Sequence, residues 1–79
     1  MNVNVRLFGH FSDYAHAIEL DVPAGSTVND VASRLAGLDL RLKGIDKSCR
    51  AAVNEEYTDS TAEIHDGDEV AFIPPMSGG

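Results

Sequence analysis

One amphipathic segment, between Thr27 and Gly37, restricts the fold more than any other feature of this sequence. Thr27 is placed to cap the start of a helix, and Asp30, three residues later, completes a capping-box arrangement. Gly37 is placed to stop the helix. A single apolar stripe at helical spacing predicts one helix that covers one face of a sheet. The residues of the stripe are Val28, Val31, Ala32, Leu35 and Ala36.

Two strands are predicted before this helix. Across residues 2–8, apolar and polar side chains alternate with the period of a half-buried strand. Residues 9–15 break the alternation, so we expect a loop or a short helical turn there. A second alternation at residues 18–22 ends at a Pro-Ala-Gly sequence, residues 23–25. The short connection between the strands favours an antiparallel pair.

Two or three short strands are predicted after the helix. Residues 50–54 have the character of a strand, and residues 55–60 are predicted as a turn followed by irregular chain. Between the helix and these strands we expect an irregular segment with one short helical turn. Its apolar residues are predicted to pack under the sheet, and they are Leu38, Leu40, Leu42 and Ile45.

The last strand is predicted in the centre of the sheet. Residues 69–73 are nearly continuously apolar, which indicates a strand covered on both faces. Ile64 is predicted to be buried, and the Asp-Gly-Asp sequence at residues 66–68 predicts a turn. Pro74 and Pro75 end the strand because neither can donate a backbone hydrogen bond to a neighbouring strand.

This order of elements predicts an α+β fold of the ubiquitin-like β-grasp type, with a mixed sheet and one main helix across one face. We assign residues 1–73 to that domain and residues 74–79 to a flexible, extended tail. Two prolines favour an extended start that points away from the body. Six extended residues reach about 20 Å.

The tail ends in Gly78 and Gly79, and this pair suits activation of a terminal carboxylate. Two residues without side chains form a thin thread, and we expect Gly79 to carry a free carboxylate. Attack by that carboxylate on the α-phosphate of ATP gives an acyl-adenylate. A persulfide sulfur can then displace AMP to leave a thiocarboxylate, or a thiol or amine can capture the acyl group. The alternative is an ordinary frayed chain end.

Charge and cysteine content exclude several classes of partner. Six Lys and Arg residues stand against thirteen Asp and Glu residues, a formal charge of −7. Scattered basic residues do not suit binding to a phosphate backbone, so we expect no nucleic acid partner. The charge favours a basic protein surface as partner, or simply keeps the chain in solution. One cysteine, no visible signal peptide and no long apolar run predict a cytoplasmic protein with no membrane partner.

No independent catalytic site and no cofactor are predicted. Cys49 lies in no motif, and we expect an incidental thiol. The acidic residues at 66–69 lack the spacing of a calcium loop. Lys43 and Lys47 are the only lysines, and they would be the acceptors in a conjugation system. No metal site is expected because the three histidines lack the spacing of ligands: His10, His16 and His65.

Several segments together resemble a known family. The most specific is residues 66–79, which read DGDEVAFIPPMSGG. The others are AAVN at residues 51–54, VRLF at residues 5–8, and PAGSTV at residues 23–28. With these, essentially the whole chain resembles the small subunit of molybdopterin synthase, the MoaD family of sulfur carriers. The related thiamine sulfur carriers share the fold and the Gly-Gly end but usually lack the Pro-Pro spacer.

The resemblance implies a carrier that is not catalytic alone. An E1-like adenylyltransferase would adenylate Gly79, and a sulfurtransferase would supply the sulfur of its thiocarboxylate. The large synthase subunit would bind the tail and direct sulfur to a cyclic pyranopterin phosphate. Phe72 is a candidate partner contact, with a core role as the alternative. The residues implied in tail insertion are Pro75, Met76, Ser77 and Gly78.

A second destination for the activated tail stays open. Archaeal ubiquitin-like small modifier proteins are similar to the same family and have the same ending. In that case Gly79 would form an amide with lysines of other proteins. A third possibility is a sulfur carrier for another pathway, such as thiamine synthesis or tRNA thiolation.

Overall fold

The computed structural model describes residues 1–75 of the chain. Within them, the chain forms a five-stranded sheet, two α-helices and two 3₁₀ helices. In chain order these elements are β1 (Asn2–Leu7), a first 3₁₀ helix (Gly9–Asp13), β2 (Ala17–Asp21), α1 (Val28–Leu38), a second 3₁₀ helix (Leu40–Leu42), α2 (Ile45–Ser48), β3 (Arg50–Val53), β4 (Glu56–Thr58) and β5 (Glu69–Ile73).

The sheet is mixed and has the strand order β2-β1-β5-β3-β4. β1 and β5 are parallel, whereas the other three neighbouring pairs are antiparallel. The apolar side chains of one sheet face and of α1 form a shared core. This arrangement confirms the predicted α+β sheet with its main helix across one face.

β1 and β2 form the predicted antiparallel pair. Val3 faces Leu20, and Val5 faces Ile18. Burial alternates strictly along β1, with Val3 and Val5 fully buried and the residues between them exposed. The period-two pattern of the sequence therefore identifies the core-facing side of β1 correctly.

α1 begins with the predicted capping box. The backbone N–H of Asp30 donates to Thr27 Oγ1 at 3.3 Å, and the backbone N–H of Thr27 donates to Asp30 Oδ2 at 2.9 Å. The stop predicted at Gly37 is wrong, because α1 continues through Leu38. The chain leaves the helix at Asp39, where φ is −157° and the side chain caps the second 3₁₀ helix through the backbone N–H of Arg41, at 2.8 Å.

Of the four apolar residues predicted to pack under the sheet in the segment after α1, only two are buried. Leu42 and Ile45 are fully buried, but Leu38 and Leu40 are 50% and 83% exposed. Leu40 and Leu42 lie in the second 3₁₀ helix, whose tight turn directs only one of the two leucines toward the core. The expectation that these four residues pack under the sheet is therefore wrong for Leu38 and Leu40.

β3 and β4 form a hairpin that the sequence predicts only in part. Asn54 and Glu55 connect the strands, with φ of 51° and 71°, as in the two-residue turns that match strand twist. The Asn54 side chain also accepts from the backbone N–H of Glu69 at 3.0 Å and donates to Asp68 Oδ1 at 3.0 Å. The chain predicted as irregular after residue 55 contains the edge strand β4, which is too short to show a periodic pattern.

β5 lies in the centre of the sheet, as predicted. It pairs with β1 on one side and with β3 on the other. Val70 and Phe72 are fully buried on the core face, and Ala71 is 8% exposed on the opposite face. The predicted turn before β5 is also present, with Gly67 at φ 83°, and Ile64 is fully buried as expected.

Candidate functional site

The candidate site begins where β5 ends. The last ladder pair joins Ile73 to Arg50 of β3, and Pro74 and Pro75 follow outside the sheet. Pro74 is partly buried and Pro75 is exposed. Because proline has no backbone N–H, it cannot extend the ladder. The chain thus leaves the sheet from the carboxyl end of its central strand.

The residues that carry the predicted chemistry follow this exit. Of the residues predicted to insert into a partner, only Pro75 is described. The predicted adenylation site, Gly79, and the other insertion residues lie outside the described residues. Those residues are Met76, Ser77 and Gly78.

The structure corrects the predicted role of Phe72 as a partner contact. Its side chain is fully buried in the core cluster. A side chain with no exposed surface cannot touch a partner while the domain stays folded. The sequence did not predict the burial of Phe72 on the core face, because the continuous apolar run of β5 contains no alternation that would assign a residue to one face. Phe72 therefore has the alternative role, as a core residue.

The sheet face opposite α1, here called the outer face, is the surface next to the exit. Its central row pairs Arg6 of β1 with Ala71, Ala71 with Ala52, and Ala52 with Tyr57 of β4. The two alanines are 8% and 4% exposed. Larger neighbouring side chains therefore cover both alanines. The outer face is defined by Arg6, Phe8, Arg50, Ala52, Tyr57, Ala71 and Ile73.

Two aromatic side chains project from the outer face, and each has an arginine over its ring. Phe8 is 39% exposed and Tyr57 is 58% exposed. The guanidinium carbon of Arg6 lies 5.7 Å from the Phe8 ring centre, and that of Arg50 lies 4.3 Å from the Tyr57 ring centre. Such contacts hold a cation against an aromatic face. The exit of the tail is therefore flanked by two exposed arginine–aromatic pairs.

Sequence reasoning missed this cluster because it treated the basic residues as scattered. Strand pairing places Arg6 and Arg50, which are far apart in the chain, on the two sides of β5. One local signal was available. The alternation of β1 that buries Leu7 also directs Phe8 to the face of Arg6.

The remaining candidate groups do not gather into a second site. Cys49 is partly buried, and burial raises the pKa of its thiol, which disfavours the reactive thiolate. Asp39 has its pKa lowered to about 2, chiefly by the hydrogen bond from the Arg41 side chain. Among residues 1–75, no group of three or more His, Cys, Asp or Glu side chains could hold a metal ion. The same residues include no helix that is long and apolar enough to cross a membrane.

Similarity to curated proteins extends over the full chain. The molybdopterin synthase sulfur carrier subunit of Chlamydomonas reinhardtii is 31% identical, with 100% of both chains covered. Seven further relatives with the same description are 31% to 37% identical.

Solved structures share the fold. SAMP1 of Haloferax volcanii superposes with a TM-score of 0.88 at 24% identity, and 100% of both chains is covered. One chain in a complex of subunits 1 and 2 of molybdopterin-converting factor from Helicobacter pylori gives a TM-score of 0.73 at 24% identity, again with 100% of both chains covered. These likenesses confirm the β-grasp fold.

The family follows from the sequence match. The model of the ThiS family matches residues 5–79, which include the whole sheet except the first residues of β1. Together with relatives of 31% identity or more over the full length, this match decides the assignment. The chain belongs to the ThiS family of β-grasp proteins, and its curated relatives are molybdopterin synthase sulfur carrier subunits.

Proposed function

We propose that this chain is the sulfur carrier subunit of a molybdopterin synthase, and that Gly79 carries the sulfur as a thiocarboxylate. The observation that carries the proposal is sequence similarity over the full chain to relatives with that description. The Chlamydomonas reinhardtii protein, for example, is 31% identical. The geometry supports it, because the chain leaves the central strand beside a sheet face with two exposed aromatic side chains, Phe8 and Tyr57.

The proposed chemistry uses the terminal carboxylate as an acyl donor. An E1-like enzyme would join the Gly79 carboxylate to the α-phosphate of ATP and release pyrophosphate. A persulfide sulfur from a sulfurtransferase would attack the acyl carbon and displace AMP. A thiol would then cleave the acyl disulfide, which leaves the thiocarboxylate on Gly79 and a disulfide on the thiol partner. In these steps, the proposed role of residues 1–75 is to position the C-terminal tail.

The outer face is the proposed docking surface for the large subunit. The structure from Helicobacter pylori is a complex of two subunits, one of which shares this fold. Phe8 and Tyr57 supply exposed aromatic surface of the kind that dominates interface energetics. Arg50 adds a positive charge that would pair with a carboxylate on the large subunit, whereas Arg6 already lies 3.8 Å from the Glu69 carboxylate of its own chain. Docking there would bring the tail exit next to the partner.

The experiment is intact-mass measurement after incubation with an E1-like enzyme, ATP and a persulfide donor. Conversion of the carboxylate to a thiocarboxylate raises the mass by about 16 Da, because sulfur replaces oxygen. A variant lacking Gly78 and Gly79 should show no gain while keeping the melting temperature of the full chain. Absence of the gain in the full chain, with an enzyme that loads a curated relative, would refute the proposal.

Conjugation to proteins is the second candidate, because small archaeal modifier protein 1 of Haloferax volcanii shares this fold, at 20% to 24% identity. In that case Gly79 would form an isopeptide bond with a lysine, and Lys43 or Lys47 of a second copy could also be the acceptor. Proteolysis of cell extracts followed by mass spectrometry would show branched peptides that carry the chain's C-terminus. Thiocarboxylate formation without any branched peptide would favour sulfur delivery.

A further inference from the structure

Gly9 and Pro74 meet at the point where the chain leaves the sheet. A Cβ atom built on Gly9 would lie 2.6 Å from Cγ of Pro74, closer than real Cβ contacts allow. The contact arises because β1 and β5 are parallel, so that the residues after Leu7 lie beside the residues after Phe72. The ring of Pro74 therefore packs directly on the backbone of Gly9.

The Gly9 backbone is itself held in place. Its φ is +62°, and the Ser12 hydroxyl donates to its carbonyl oxygen at 2.7 Å. Gly9 begins the first 3₁₀ helix, which is anchored by Phe11 at 5% exposure. The backbone N–H of Leu7 donates to the carbonyl of His16 at 3.0 Å, which closes the loop. Gly9 thus offers a fixed surface to Pro74.

The contact bears on the direction of the exit because the backbone from Ile73 to Pro75 has few free torsions. The rings of Pro74 and Pro75 fix two φ angles near −65°, and a residue that precedes proline, such as Ile73, is restricted to extended conformations.

We propose that Gly9 is a positioning residue for the exit of the chain from the sheet, because its bare backbone seats the Pro74 ring and so sets the direction in which the chain leaves at Pro74 and Pro75. This inference rests on the proposed function, in which an E1-like enzyme must receive Gly79. Any side chain at position 9 meets the Pro74 ring and displaces it, which changes the direction of the exit. Misplacement of reacting atoms by about 1 Å can lower a rate by about 100-fold.

The test compares Gly9→Ala with Gly44→Ala. Gly44 also has a positive φ, +80°, but no atom lies within 4 Å of its added Cβ. Gly44→Ala therefore introduces backbone strain at a positive φ, as Gly9→Ala does, but no clash with another residue. In steady-state assays of ATP-dependent pyrophosphate release by an E1-like enzyme, Gly9→Ala should lower kcat by about 10- to 100-fold with little change in KM. Gly44→Ala should retain the wild-type kcat.

A double variant separates the clash with the Pro74 ring from a general loss of structure. The added Cβ would lie 3.6 Å from Cβ of Pro74, an ordinary contact, so Pro74→Ala removes the clash. The double variant Gly9→Ala with Pro74→Ala should match Pro74→Ala alone in kcat. An additive loss in the double variant, or equal loss in Gly9→Ala and Gly44→Ala, overturns the inference.

A measurement on the free chain keeps this inference separate from the proposed function. Wild-type protein and Gly44→Ala should show a nuclear Overhauser effect between Gly9 Hα and the Pro74 ring protons, and Gly9→Ala should lose it or shift the Pro75 resonances. If wild-type chain is never loaded by an E1-like enzyme, the proposed function fails whatever the spectra show. If wild-type chain is loaded and Gly9→Ala is loaded equally well, the positioning role fails alone.

Discussion

The guanidinium carbon of Arg50 lies 4.3 Å from the centre of the Tyr57 ring, and the two residues occupy neighbouring antiparallel strands of the outer face. The ring stays 58% exposed in this arrangement. The pair therefore combines a positive charge with accessible aromatic surface beside the end of β5. This combination is common at the anchors of protein interfaces.

Tyr57→Ala should weaken binding to the large synthase subunit. Loss of an aromatic anchor typically removes about 2 kcal/mol, so we expect the Kd to rise by at least about tenfold in calorimetry. Leu40→Ala is the matched control, because Leu40 is 83% exposed but lies on the second 3₁₀ helix, away from the outer face. Equal Kd values for the two variants would contradict docking through the outer face.

Phe72 should matter for stability. Its side chain fills the core between sheet and helix, and truncation to alanine removes about 3–5 kcal/mol from the free energy of unfolding. That loss approaches the whole stability of a small domain. Phe72→Leu is therefore the measurable variant, with an expected loss of about 1–2 kcal/mol in urea denaturation. Phe8→Leu, at a 39% exposed site, should lose less than about 0.5 kcal/mol; a larger loss there than at Phe72 would contradict this account.

Thr27→Ala should destabilise the domain through the start of α1. The substitution removes the oxygen that accepts from the backbone N–H of Asp30 at 3.3 Å. Loss of such a cap lowers the free energy of unfolding by about 1 kcal/mol. Ser33→Ala, at an exposed site within the same helix, is the control and should change it by less than about 0.5 kcal/mol. An equal effect of both variants in urea denaturation would show that the cap contributes nothing.

Asp68 should make stability depend on pH in the acid range. Hydrogen bonds from the Asn54 side chain, first, and from the backbone N–H of His65 lower the pKa of Asp68. A carboxyl whose pKa is lower in the folded chain binds more protons when unfolded. Its contribution is therefore fully present above the unfolded pKa of about 3.9, and it is lost as pH falls through the lower folded pKa.

The measurement is the free energy of unfolding of wild type and Asp68→Asn between about pH 2 and pH 6. Wild type should lose stability more steeply below about pH 4 than the variant, which cannot titrate at position 68. Parallel curves for the two proteins would show that Asp68 contributes no pH dependence.

Local patterns predicted most of the strands and helices, because their causes are local. Alternation identifies the buried side of β1, and the capping box identifies the start of α1. The failures also have local explanations. Gly37 resembles a helix stop, but Asp39 ends the helix because its side chain caps the next turn. β4 has only three residues, which is too few for a periodic signal.

Local sequence patterns were enough to predict the order of the elements other than β4, the core-facing side of β1 and the place where the last strand ends. Tertiary structure alone decided that Phe72 is buried, since a continuous apolar run carries no information about its two faces. It also decided which distant residues surround the tail exit. Parallel pairing of β1 with β5 brings Gly9 to Pro74, and the registers of β1 and β3 on β5 place Arg6 beside Ala71 and Arg50 beside Ile73 on the same face. These relationships depend on strand order and register, which no local spacing in the chain records.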